Sequence, residues 1–228
     1  MLDGMDGVLE AEGMKLYTAG GSIANRRDCK ELGVGLMMCD GWRDPSEYPY
    51  FAVDNGAFSA WTQNKTWNSA TFVHILNRCE EERCMPDFAV LPDIVGGGVL
   101  SLERSRRWLR LLREEYPGIS WALAVQDGME PFDSSLLTGM GGVRTIFVGG
   151  TMKWKLKTMG QWAAFAHENG LSCHVGRIGT VDNMVMADVL GADSIDSTTW
   201  VQRNGCLRDH VEAYRAFMAM RKPLEEFA

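Results

Sequence analysis

Eight short runs of strand-forming residues recur along the chain, at 15–18, 35–39, 50–53, 88–91, 121–125, 145–148, 172–175 and 194–195. Between most of them lie segments with apolar residues at helical spacing. The clearest are 100–116, with Leu102, Trp108, Leu109 and Leu112, then 156–169, 181–190 and 207–220. Strand alternating with helix predicts parallel strands joined by crossover helices. Eight such units in one domain of 228 residues predict a compact, trimmed (β/α)8 TIM-type barrel, α/β in class. Helix-end signals agree: Asn169-Gly170 and Gly191 stand where helices should stop, and Thr180 or Asp182 stands where the next should be capped. No GxGxxG or Walker pattern opens a helix, so nothing favours an open doubly wound sheet. The stretches 41–50 and 139–142 read as loops, and no linker divides the chain.

Composition supports one folded domain over residues 1–228: 46% of the residues are hydrophobic and 23% charged, enough apolar material for one sizeable core. No run approaches the roughly 18 uncharged apolar residues that a membrane span needs, because the best, beginning at Phe88, carries Pro92 and Asp93. The acidic first fifteen residues do not read as a secretion signal, which leads to an expectation of a cytoplasmic protein. The six cysteines form no CxxC pair, so neither a disulfide framework nor a zinc cage is expected. A net charge of −7 argues against bulk electrostatic capture of nucleic acid, although the basic residues are clumped. The clump 104–110 reads as a solvated helix face.

Strand after strand ends in a carboxylate, an amide or paired glycines: Asp54-Asn55-Gly56, Asp93, Gln126-Asp127-Gly128, Gly149-Gly150 and Asp196. In a barrel these C-terminal strand ends surround one mouth and carry the chemistry. One such residue alone is most simply a turn former or helix cap. Five together point to a pocket. At Asp196, the hydroxyl residues Ser197, Thr198 and Thr199 can take over capping and leave its carboxylate for other work. Metal catalysis is disfavoured because only four histidines occur and only His174 falls on a strand, where it reads as a hydrogen-bonded core residue. Glycosyl chemistry needs one carboxylate at the anomeric carbon and another managing the leaving group's proton, roles open to Asp196 and Asp54. Asp93 and Gln126 supply the acceptors and donors that match the edge of guanine. Gly149 and Gly150 allow backbone N–H groups to approach a flat ligand, and Phe58 can stack on it. The same glycines would suit a phosphate, which keeps a small-molecule barrel enzyme as a second reading.

The motifs DNGAF (54–58), LPDIV (91–95), AVQDG (124–128), FVGGT (147–151), HVGRIG (174–179) and GADSID (191–196) resemble, in the same order, those of the tRNA-guanine transglycosylase superfamily. The resemblance spans about residues 50–200. It implies a (β/α)8 barrel that exchanges guanine in a polynucleotide for a free 7-deazaguanine base, a co-substrate that stands in place of any cofactor. It further implies Asp196 as the nucleophile at C1′, Asp54 as the acid/base group, Asp93 and Gln126 as base-edge readers, Asn55, Gly149 and Gly150 as further base contacts, and Phe58 and Val175 as stacking walls.

Two departures from the tRNA enzymes shape the expected substrate. Only Cys206 follows Asp196, so their cysteine-rich zinc site cannot be built and no metal is expected; Asn55 also replaces their usual serine. A short zinc-free version is more similar to the phage and bacterial DNA 7-deazaguanine transglycosylases. DNA is therefore the expected partner and tRNA the alternative. Lys153, Lys155, Arg177 and Arg203 are the expected contacts to the nucleic-acid backbone, and the acidic balance leaves a homodimer or a partner subunit as further sources of affinity.

Overall fold

The computed structural model describes residues 13–130, 134–202 and 206–225. Eight parallel strands close into a barrel in simple chain order: β1 (Lys15–Thr18), β2 (Gly35–Met38), β3 (Phe51–Val53), β4 (Ala89–Val90), β5 (Trp121–Val125), β6 (Val143–Val148), β7 (Ser172–Val175) and β8 (Ser194–Asp196). Closure is made by β1 against β8, with Tyr17 opposite Asp196. The strands are buried on both faces, as a parallel sheet wrapped by helices requires.

The helices are α1 (Ile23–Glu31), α2 (Ala57–Thr62), α3 (Ser69–Glu81), α4 (Val99–Glu115), α5 (Met152–Glu168), α6 (Val181–Val189), α7 (Thr199–Gln202) and α8 (Leu207–Glu225). Trimming is concentrated in two crossovers. The chain after β2 turns through a 3₁₀ segment at Pro45–Glu47, and after β5 through another at Ser134–Leu137, with no α-helix described in either. Thr180 caps α6 by accepting from Asn183 N, while Gly170 and Gly191 follow helix ends with positive φ. α5 begins four residues earlier than its periodicity suggests. Thr151 accepts from Trp154 N and starts the helix there, so Lys153 and Lys155 are helical.

Alternation along the strands sorts side chains into two cores. Leu16, Val53, Leu91, Val125, Val148, Val175 and Ile195 face the helices. Tyr17, Met37, Ala52, Phe88, Val90, Ala122 and Ala124 fill the barrel interior, which is packed and not a pore. At its N-terminal end Tyr17 Oη donates to Asp87 Oδ2 at 2.5 Å, and Lys15 Nζ reaches the same oxygen at 2.8 Å. The opposite end, at the C-termini of the strands, carries Asp54, Asp93, Gln126 and Asp196.

Candidate active site

Asp196, the last residue of β8, points into the C-terminal mouth. Oδ1 accepts from His174 Nε2 at 3.0 Å and from Arg177 N at 3.1 Å. Oδ2 has no protein partner among the described residues. Capping of the following turn is indeed taken by Ser197, whose Oγ accepts from Thr199 N.

His174 is fully buried. Its Nδ1 lies 2.8 Å from Ser194 Oγ, and its ring stacks on Phe147 at 4.8 Å between centroids. Burial pulls its imidazole below the usual histidine range, against the opposing pull of Asp196. A neutral ring donating from Nε2 then accepts the Ser194 hydroxyl at Nδ1, so one tautomer satisfies both bonds. The core reading of His174 stands, but its partner is the candidate nucleophile. The signal was in the register: His174 pairs with Ser194 across β7 and β8, so Asp196, two residues on, shares its face.

Asp54 sits at the end of β3, where its N–H donates to Met38 O and its Oδ1 accepts from Gly56 N at 2.6 Å. Gly56 takes φ +76°, a conformation the tight turn requires and glycine supplies without strain. Burial pushes the Asp54 carboxyl up to about 7, with Asp196 and Asp93 adding to the shift and the Gly56 bond and Arg177 opposing it. Asp93 is likewise raised, chiefly by burial. Asp54 and Asp93 therefore stand at the mouth with proton affinities raised above those of ordinary aspartates.

Several predicted contacts are corrected by the geometry. Asn55 Nδ2 donates to Leu91 O at 2.8 Å and Asp93 Oδ1 at 3.0 Å, while its Oδ1 accepts from Ala57 N. Its amide hydrogens are spent, so it positions Asp93 and does not face a ligand. Gln126 donates to Ile94 O at 2.9 Å and Asp93 Oδ2 at 3.4 Å, and accepts from Gly96 N at 2.5 Å. It lies beside Asp93 as expected, holding the 94–96 segment. Val175 points to the helices and is completely buried, because β-strand alternation puts it on the opposite face from His174; it cannot be a stacking wall. Phe58 already has the Arg177 guanidinium 3.8 Å over its ring, so that face is covered. Gly149 N donates to Val125 O and is unavailable to a ligand.

Gly150 holds a crowded corner. A Cβ there would lie 2.5 Å from Asp127 Oδ2 and 2.9 Å from Trp154, and its φ is +73°. Asp127 accepts from both Thr151 N and Thr151 Oγ1 at 2.7 Å, tying the end of β5 to the start of α5. Sequence reasoning gave Asp127 no role of its own.

The basic residues divide. Lys153 is exposed on α5. Lys155 is fully buried and donates to Gly176 O, so it cannot touch a nucleic-acid backbone; α5 turns it inward beneath the mouth. Burial and the neighbouring Arg177 pull its ammonium down to about 7, against Asp196 and Asp127. Arg177, at φ +59°, donates from its guanidinium to Gly150 O. It closes one side of the mouth. Arg203 lies outside the described residues.

Among the described residues no group of three or more His, Cys, Asp or Glu is placed to hold a metal ion, and no helix is long and apolar enough to cross a membrane. Fold and site together define a (β/α)8 barrel with a carboxylate-lined C-terminal mouth. No protein-family model matches the chain, and no curated protein matches it.

Proposed function

We propose that the chain is a base-exchange transglycosylase that replaces guanine in a polynucleotide, DNA in preference to tRNA, with a 7-deazaguanine base. The observation that carries this reading is the pairing of two unlike aspartates at one mouth. Asp196 is oriented through one oxygen and open at the other, while burial makes Asp54 a carboxyl able to gain and lose a proton near neutrality.

Asp196 Oδ2 attacks C1′ of the target nucleotide, and the C1′–N9 bonding pair leaves with guanine, which takes the Asp54 proton. Asp54, now a carboxylate, removes the N9 proton of the incoming 7-deazaguanine. That nitrogen attacks C1′ and displaces Asp196. Two displacements retain configuration. Asp93, aligned by Asn55, accepts from the base N1–H and 2-amino group, while Gln126 exchanges its bonds to the 94–96 segment for the base edge. A target in a duplex must first be extruded, at a cost of about a few kcal/mol.

Nucleoside mass spectrometry after incubation with DNA, or separately tRNA, plus 7-deazaguanine bases tests the reading, with Asp196→Asn as control. Incorporation into DNA that vanishes in the variant is the expected result. Incorporation into tRNA alone keeps the mechanism and changes the substrate. No exchange with either polymer overturns it.

A further inference from the structure

Beside the mouth, the first turns of α4 and the segment after β4 enclose a recess of about 400 Å³ lined by Ile94, Leu100, Glu103, Arg104, Arg107 and Trp108. Three features set it apart. Leu100 is 70% exposed and Ile94 38%, an apolar lip left in water. Arg104 makes no hydrogen bond among the described residues, and its Nε is buried without a partner. Arg107, and Arg110 one turn on, have no acidic partner there either, in a chain of net charge −7; Glu103 is occupied by Arg106 at 2.8 Å.

Contacts behind the recess connect it to the mouth. The Arg104 guanidinium lies 4.7 Å over the Trp67 ring, and Trp67 meets Trp108 edge-on at 5.6 Å. Trp67 Nε1 donates to Asn55 O at 2.7 Å, and Asn55 aligns Asp93. Ile94 directly follows Asp93 and is held by Gln126. The recess is thus one residue away from the group that reads the base.

We propose that this recess seats the polynucleotide strand next to the target nucleotide, with a phosphate on Arg107 and Arg104 and the neighbouring base against Trp108 and Leu100. The inference rests on the transglycosylase reading and names a surface for its substrate. Arg107, without an acidic partner among the described residues, and Arg104, which is stacked on Trp67 and whose charge also acts on Asp93, lie beside Trp108. Together they match what single strands require, a cationic track for phosphates and a flat apolar face for bases. An acidic protein partner would satisfy the charges but would not explain continuity with Asp93.

The test titrates a fluorescein-labelled, guanine-containing single-stranded oligodeoxynucleotide by anisotropy in the Asp196→Asn background, which blocks turnover. Arg107→Glu is compared with Lys30→Glu on the distant, exposed face of α1. Arg107→Glu should weaken binding about five- to tenfold and flatten the salt dependence by about one counterion, with Lys30→Glu changing it less than twofold. Equal binding by both variants overturns the surface. If base exchange is nevertheless seen by mass spectrometry with the enzyme carrying Asp196, the transglycosylase reading survives that failure. If the protein neither binds the strand nor exchanges bases, both fall. A dimer in sedimentation that Arg107→Glu dissociates, without loss of strand binding, assigns the recess to a protein contact and overturns the proposal.

Discussion

His174 and Asp196 lie on neighbouring strands, and the 3.0 Å bond from imidazole Nε2 to carboxylate Oδ1 is enclosed at the top of the barrel interior. The histidine is clamped from beneath by Ser194 and from the side by Phe147, so it has little freedom to follow a rotating carboxylate. It fixes which oxygen of Asp196 is held and which faces the mouth. His174 is a positioning residue.

Replacing His174 by Phe keeps the ring stack and removes the bond. Exchange is expected to slow by about ten- to a hundredfold in kcat with KM little changed, since only the attacking carboxylate loses its orientation. Steady-state kinetics separates the two constants. An unchanged kcat would leave His174 as packing alone.

Asp196→Asn should lower exchange by at least about a thousandfold while leaving oligonucleotide affinity within a few-fold. On the proposed mechanism, a covalent protein–nucleic-acid adduct is expected on a denaturing gel for the unaltered protein and is expected to be absent for the variant. An adduct that persists would move the nucleophile elsewhere.

In the proposed exchange, Asp54 is the group expected to set the pH profile. Its carboxyl at about 7 must be protonated to help guanine leave, so kcat/KM for guanine release should fall above about pH 7. Because the folded value lies above the ordinary 3.8, the folded state keeps a proton that the unfolded chain releases. Stability attributable to this group is full below about pH 4 and is lost as pH rises through about 7. Asp54→Asn should therefore stabilise the protein by on the order of a few kcal/mol near pH 8 and by almost nothing near pH 4. Urea unfolding at the two pH values measures the difference.

Lys155 gives a window on the alkaline side. Its folded value of about 7 lies below the ordinary 10.5, so between those limits the unfolded chain holds the extra proton and stability rises with pH. Lys155→Met removes the cost of a buried ammonium, and its gain in Tm should be largest near pH 6 and fade by about pH 10. The same variant frees Gly176 O and loosens the turn that presents Arg177 N to Asp196, so kcat should drop. A gain in Tm that is equal at both pH values would show that Lys155 does not titrate as described.

Gly150→Ala should destabilise the protein by about 2–3 kcal/mol, because the added methyl meets Asp127 and Trp154 and φ is positive. Gly141→Ala, with nothing within 4 Å and no positive φ, should fall within about 0.5 kcal/mol of the original. Chemical denaturation of the pair distinguishes local crowding from a general intolerance of substitution.

The barrel was legible because its signal is local and repeated. Eight apolar runs alternating with helical periods specify the fold class, and the polar residues closing each run place Asp54, Asp93, Gln126 and Asp196 around one mouth without reference to any contact. Helix starts set by capping alone were less legible, as the earlier start of α5 shows. What tertiary structure decided is where each of these side chains points and what it spends its hydrogen bonds on. Adjacent strand residues face opposite ways, so His174 turned into the barrel and Val175 turned out of it. Lys155, one of a run of apparent surface lysines, falls on the buried face of α5 with Thr158, Met159 and Trp162 and so lies beneath the mouth. Asn55 and Phe58 proved to be partners of Asp93 and Arg177, because satisfying a buried amide and covering a ring are demands met across the chain, between residues far apart in sequence. Residue types and their order are local properties; orientation and occupancy are set by packing among all eight strands at once.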